Sequence, residues 1–145
     1  MTPFRAAGAL VVAMAATGLL ATTAHAEPSD QLDRVPVVAS PTCAGSVSAD
    51  AQVVPVQVDG RVENGIRVAI SYDAGVYDGS CALTVSAVWK NLQTGASGTD
   101  DFTAVSTIDG HYGFVGYANT TLVTGPGSVV ITLSSHPGAE LSITV

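Results

Sequence analysis

Positive charge is scarce in this chain: Lys and Arg number 5 against 12 Asp and Glu, for a formal net charge of −7. After the first 26 residues only Arg34, Arg61, Arg67 and Lys90 remain, and they are scattered. Nucleic-acid binding rests on clustered cations that neutralise phosphates, so no nucleic-acid partner is expected. Attraction to an anionic membrane surface fails for the same reason. Histidine is rarer still, at 3 in the whole chain. Zinc asks for three or four His, Cys or acid ligands at suitable spacing, which His111 and His136 in separate turns do not provide. Apolar runs of spanning length are also missing beyond the N-terminus, and none lies near the C-terminus. No membrane span and no sorting tail are therefore expected in the mature product.

What the N-terminus does contain is an export pattern. Arg5 supplies a positive start, an apolar run follows from Ala6 to about Leu20, and Ala24, His25 and Ala26 form an A-x-A site. The competing reading is a membrane anchor. The run is short for one, and Gly8, Thr17 and Gly18 interrupt it. Residues 1–26 are thus expected to be a cleavable signal peptide, residues 27–34 a flexible leader, and residues 35–145 one domain. No Cys lies at the cleavage point, so the product is expected to be secreted, extracellular or loosely held at the cell wall. An Ala-rich leader and little Lys point to a bacterial source of high GC content.

Two cysteines, Cys43 and Cys81, are present. Outside the cytoplasm such a pair forms a structural disulfide. A redox pair would want the Cys-x-x-Cys spacing, and these are far apart. Closing a loop of that size stabilises the fold by about 4 kcal/mol in the chain-entropy model.

The rest of the chain reads in period two, which puts alternate residues on opposite faces of a sheet. In residues 81–90, Cys81, Leu83, Val85, Ala87 and Trp89 share one face, which predicts a buried disulfide on an apolar side. Trp89 could instead be an exposed binding aromatic, but its phase favours the core. Val54, Val56 and Val58 alternate up to a turn at Asp59 and Gly60, with Pro55 marking a sheet edge. Asn64 and Gly65 read as a turn ahead of Ile66, Val68, Ile70 and Tyr72. Residues 112–123 read as one strand, and Val129, Ile131, Leu133, Leu141 and Ile143 as inward positions of the last two. About seven or eight short strands with Gly, Pro, Asn and Asp turns predict an all-β antiparallel sandwich, with an immunoglobulin-like topology as one form. The antibody marker, a Trp between the two bridging cysteines, is missing because Trp89 follows both. A small β-barrel is the alternative.

Catalytic patterns are poor. Gly95, Ala96, Ser97 and Gly98 fall one residue short of a nucleophile elbow. His111 and His136 are the only histidine bases beyond the leader, so a small hydrolase is a remote alternative and the chain is expected not to be an enzyme. Asp73, Asp78, Asp100, Asp101 and Asp109 fall near strand ends and could gather for calcium, although solvated turn acids explain them equally. No cofactor and no metal site are expected. Asn119, Thr120 and Thr121 fit a glycosylation sequon inside a predicted strand. Tyr112, Phe114 and Tyr117 lie close together in sequence, with Tyr72 and Tyr77 earlier. They are the candidate binding aromatics, since Tyr is enriched at interfaces.

The stretch Cys81, Ala82, Leu83, Thr84, Val85 resembles the start of a strand in the small secreted actinobacterial α-amylase inhibitors. The Trp-Arg-Tyr triplet those inhibitors use is absent, as is a second disulfide, so no inhibitory residue is carried over. The functional expectation is a secreted, non-catalytic binding or structural module whose partner is another protein or cell-wall carbohydrate. A secreted proteinaceous inhibitor or effector is the alternative.

Overall fold

Nine strands are found in the computed structural model, which describes residues 28–111 and 113–145. They are β1 (Ser29–Ser40), β2 (Cys43–Val58), β3 (Arg61–Asp73), β4 (Asp78–Asn91), β5 (Ser97–Asp109), β6 (Gly113–Val115), β7 (Tyr117–Leu122), β8 (Ser128–Leu133) and β9 (Leu141–Thr144). The proposed signal peptide and Tyr112 lie outside the described residues. No helix among the described residues is long and apolar enough to cross a membrane.

Two antiparallel sheets face one another. One has the order β1-β2-β3-β7 and the other β6-β5-β4-β8-β9. Taking β2, β3 and β7 as A, B and E, the second sheet reads C″-C′-C-F-G, which is the variable-type immunoglobulin order. There is no D strand among the described residues, and β1 is an addition outside A. The sandwich with one disulfide therefore stands as the fold, and its topology is immunoglobulin-like.

The core lies between the sheets and is built by alternation. Val47, Ala49, Ala51 and Val53 of β2, with Ile66, Val68, Ile70 and Tyr72 of β3, are buried against Cys81, Leu83, Val85 and Ala87 of β4. Phe102, Ile131, Leu141 and Ile143 complete it. Each such aliphatic side chain contributes about 1.5–3 kcal/mol on burial. Trp89 is half-buried and packs on this cluster, in phase with Cys81 as expected. The Cys43–Cys81 bridge, with its Cα atoms 5.5 Å apart, joins the start of β2 to β4 across the two sheets.

Four local expectations change. The leader expected over residues 27–34 is strand from Ser29 on, paired with β2 from Ser29 opposite Gln52. A register shift between Leu32 and Val35 inserts an extra residue there, so the inward positions Leu32, Val35 and Val37 break period two. Asn64 and Gly65 are not a turn: they pair with Pro55 and Val54 inside β3. Gly65 is needed for close approach, since a Cβ there would lie 2.9 Å from the Leu122 carbonyl oxygen. The single strand expected over residues 112–123 is two strands in different sheets. Gly116 makes the crossing, where its carbonyl accepts the Tyr72 N–H at 2.7 Å. A Cβ at Gly116 would sit 1.9 Å from the Tyr72 carbonyl oxygen, which no side chain tolerates. β2 is not the edge strand that Pro55 suggests, since β1 and β3 flank it. Among the described residues, however, pairing on the β1 side stops at Val53, whose N–H donates to the Pro28 carbonyl at 3.1 Å, so Pro55 breaks no ladder bond there.

Candidate functional site

The features that could act on a partner gather at the end of the sandwich where β3 passes to β4 and β5 to β6. The β3–β4 link is fixed by two polar side chains. Buried Ser106 accepts the Ala74 N–H at 3.2 Å and donates to the Val76 carbonyl at 2.7 Å. Asp73 Oδ1 accepts the Gly75 N–H at 2.8 Å and the Tyr77 hydroxyl at 3.0 Å. That hydroxyl bond, with some burial and the Asp73 charge behind it, raises the Tyr77 phenol above its ordinary value. The link is also tied to β5, because the Ile108 N–H donates to the Tyr77 carbonyl at 3.1 Å.

These bonds hold apolar side chains in the open. Tyr77 meets Phe114 edge to face, with ring centroids 5.5 Å apart and planes at 75°. Phe114 lies directly opposite Ile108 in the β5–β6 pair, so both occupy the same face. Ile108 continues the inward phase of Phe102, Ala104 and Ser106, but there the facing sheet no longer covers it, and it is 56% exposed. Val76, Tyr77 and Phe114 are exposed beside it at 41%, 37% and 42%. An edge-to-face pair of this kind is worth about 0.5–1.5 kcal/mol beyond area burial, which fixes the rings without a partner.

Of the three candidate aromatics, Phe114 stands in this cluster and Tyr112 is outside the described residues. Tyr117 points elsewhere. It pairs with Ser71, whose neighbours Ile70 and Tyr72 take the inward positions, so Tyr117 lies on the outer face of the first sheet. There the Arg34 guanidinium spans Ser46, Ser48 and Ser71 at 3.1, 3.2 and 3.4 Å. Val76 and Ile108 escaped the sequence reading. Ile108 had a signal, its phase with Phe102 and Ala104, but not one that tells where the facing sheet stops.

The other candidates are engaged in structure. His136 is buried, with Nε2 3.1 Å from the Asp33 carbonyl and Nδ1 2.9 Å from Ser135 Oγ. A carbonyl only accepts, so Nε2 carries the hydrogen and, in the neutral ring, Nδ1 accepts a hydrogen bond donated by the Ser135 hydroxyl. The ring thereby pins the β8–β9 turn to β1. His111 sits in the β5–β6 turn, where its N–H donates to Asp109 Oδ1 at 2.7 Å. Asp78 accepts from the hydroxyl and N–H of Ser80, bonds that hold its carboxyl below the usual carboxylate value. Asp100 accepts from the Thr120 hydroxyl. Among the described residues no three His, Cys, Asp or Glu side chains gather to hold a metal ion. Asn119 lies on β7 with its side chain exposed.

No family model, curated protein or solved structure matches this chain.

Proposed function

We propose that the chain is an exported, non-catalytic binding module that contacts another protein through the end carrying Tyr77, Ile108 and Phe114. The observation that supports this reading is the exposed edge-to-face pair on a backbone fixed by Ser106 and Asp73. Aromatic side chains already immobilised lose little entropy on binding, which is how rigid anchors yield affinity. Export is supported by the A-x-A leader and by a disulfide, the bond that persists in oxidising compartments. A protein partner is preferred to cell-wall carbohydrate because aliphatic Val76 and Ile108 are exposed beside the rings.

A photoreactive benzoyl-phenylalanine in place of Phe114, carried by the secreted protein, tests this directly. The expected product is a discrete protein adduct that disappears when Tyr77→Ala is added. Sedimentation with cell-wall polysaccharide and no protein adduct would reverse the choice of partner. A secreted inhibitor is the same reading with a hydrolase as that partner, and loss of hydrolase activity on adding the domain would identify it.

A further inference from the structure

We propose that the chain binds an extended peptide segment by strand addition to the free edge of β4 at Ala82 and Thr84. β4 runs for 14 residues, but β8 pairs only with its Ala87–Asn91 part. Past that, the Ser134 N–H donates to the Ser86 carbonyl at 3.0 Å, and the Ser86 N–H donates to Ser134 Oγ at 2.9 Å. The chain then turns away, held by His136. In an antiparallel strand each residue directs its N–H and C=O to one side, and successive residues alternate. Ser86 faces the β8 side, so Thr84 and Ala82 face it too, and among the described residues no strand lies there to pair them. Two donor–acceptor pairs about 6.8 Å apart form a ladder that another extended backbone matches.

The vacant lane is a cleft of about 360 Å³ between Ala82–Thr84 and Val37–Ala39 of β1, closed at one end by Ser134 and Ser135. Its two lips differ. On β1, Val35 and Val37 pair toward β2, so Pro36 and Val38 face outward; Pro36 has no N–H to offer, which leaves Val38 alone on this lip against two residues on β4. The incoming strand therefore pairs with β4, antiparallel to it, in the line that β8 leaves. Its alternate side chains would face Leu83 and Val37, so small apolar residues fit those positions and polar ones the positions opposite Ala82 and Thr84.

The probe is the capped peptide Val-Thr-Val-Thr-Val, compared with a version N-methylated at both Thr residues, each added to the oxidised, 15N-labelled protein. Saturating plain peptide is expected to slow hydrogen exchange at the Ala82 and Thr84 amides by about tenfold or more. The N-methylated peptide should leave them unchanged, and Phe114→Ala should leave the effect intact, which separates this site from the aromatic end. Thr84→Pro removes the outward N–H while sparing the β5 ladder, and a folded variant should no longer bind. The proposal is overturned if both peptides act alike, if shifts map to the aromatic end, or if these amides are protected without peptide. Protection that grows with protein concentration alone would instead name a second copy of the chain as the occupant.

Discussion

At one end of the sandwich two loops meet on a buried amide, while at the other a disulfide joins the sheets and four apolar side chains stay exposed. The first end is closed by Asn91, which is 0% exposed. Its Nδ2 donates to the Thr124 and Pro126 carbonyls at 3.0 Å each, and its Oδ1 accepts the Gln93 and Thr94 N–H groups at 3.0 and 3.1 Å. Every bonding position of the side chain is used, while Leu92 and Val123 beside it stay exposed. The second end has Cys43–Cys81 and the Ser106 bonds, with Val76, Tyr77, Ile108 and Phe114 uncovered. A polar hub can close loops completely only when their backbones converge on it. Loops that instead project side chains toward a partner need their anchor behind them, and the disulfide lies there. The difference is between an end whose loops are tied by a buried amide and the proposed contact end, held by a disulfide behind an exposed aromatic pair.

The largest test breaks the covalent anchor. Replacing Cys43 and Cys81 together by Ala should cost about 4 kcal/mol by the loop-entropy argument. For a domain of this size that is a fall in Tm of about 10–20 °C. The loss should also be local. Hydrogen exchange should rise in residues 74–78 before it rises around Asn91, and equal acceleration at both ends would mean that the two are not independent.

Next in size is the hub. Asn91→Asp keeps the acceptor for Gln93 and Thr94 but turns the donor into an oxygen facing the carbonyls of Thr124 and Pro126. About 2–3 kcal/mol should be lost at neutral pH, the range for an unpaired buried polar group. The carbonyls favour the protonated acid, so the folded pKa of the new carboxyl is raised above its unfolded value. Its stabilising contribution is then fully present below about pH 4 and is lost as pH rises through the folded pKa. Urea midpoints of variant and parent should converge on acidification. A gap that widens at low pH would show that the Nδ2 bonds are not what holds these loops.

How these two ends read from the sequence follows the same division. The strand through Cys81, Leu83, Val85, Ala87 and Trp89 was plain because one face packs along its whole length, which imposes period two. The disulfide was plain because only two cysteines exist. β1 was hidden because its bulge shifts the phase between Leu32 and Val35, and a shifted alternation looks like none. The break at Gly116 was hidden because alternation records which face a residue takes, not which sheet it belongs to. Asn91 looked like an ordinary turn residue, since its partners at residues 124–126 come together only in the fold. In the contact end, Tyr77 and Phe114 were visible as aromatics, but their meeting depends on the β5–β6 pairing, which no local pattern encodes.

Smaller effects on stability sharpen the contact end. Phe114→Ala should change the unfolding free energy by less than the large-to-small cost in a core, about 1 kcal/mol or below, because the ring is already 42% exposed. It should nonetheless abolish the protein adduct formed by a photoreactive group placed at Ile108. A loss of several kcal/mol, measured by denaturant unfolding, would make Phe114 a core residue and remove the contrast between the ends.

The smallest effect lies in a proton. The Asp73 hydrogen bond is the first cause of the raised Tyr77 phenol, ahead of desolvation and the Asp73 charge. A raised folded pKa means that the contribution is fully present below about pH 10, the unfolded value, and is lost as pH rises through the folded one. Tyr72 is also raised, by burial alone, so the titration has to be assigned ring by ring, by NMR of the tyrosine Cζ. Asp73→Ala should bring Tyr77 down further than Asp73→Asn, because the amide oxygen still accepts the hydroxyl while removing the charge. Tyr72 should stay where it is in both variants. If Asn lowers Tyr77 as far as Ala does, charge rather than the bond governs the phenol. Asp73 would then act on the contact end at a distance rather than by gripping the ring that carries it.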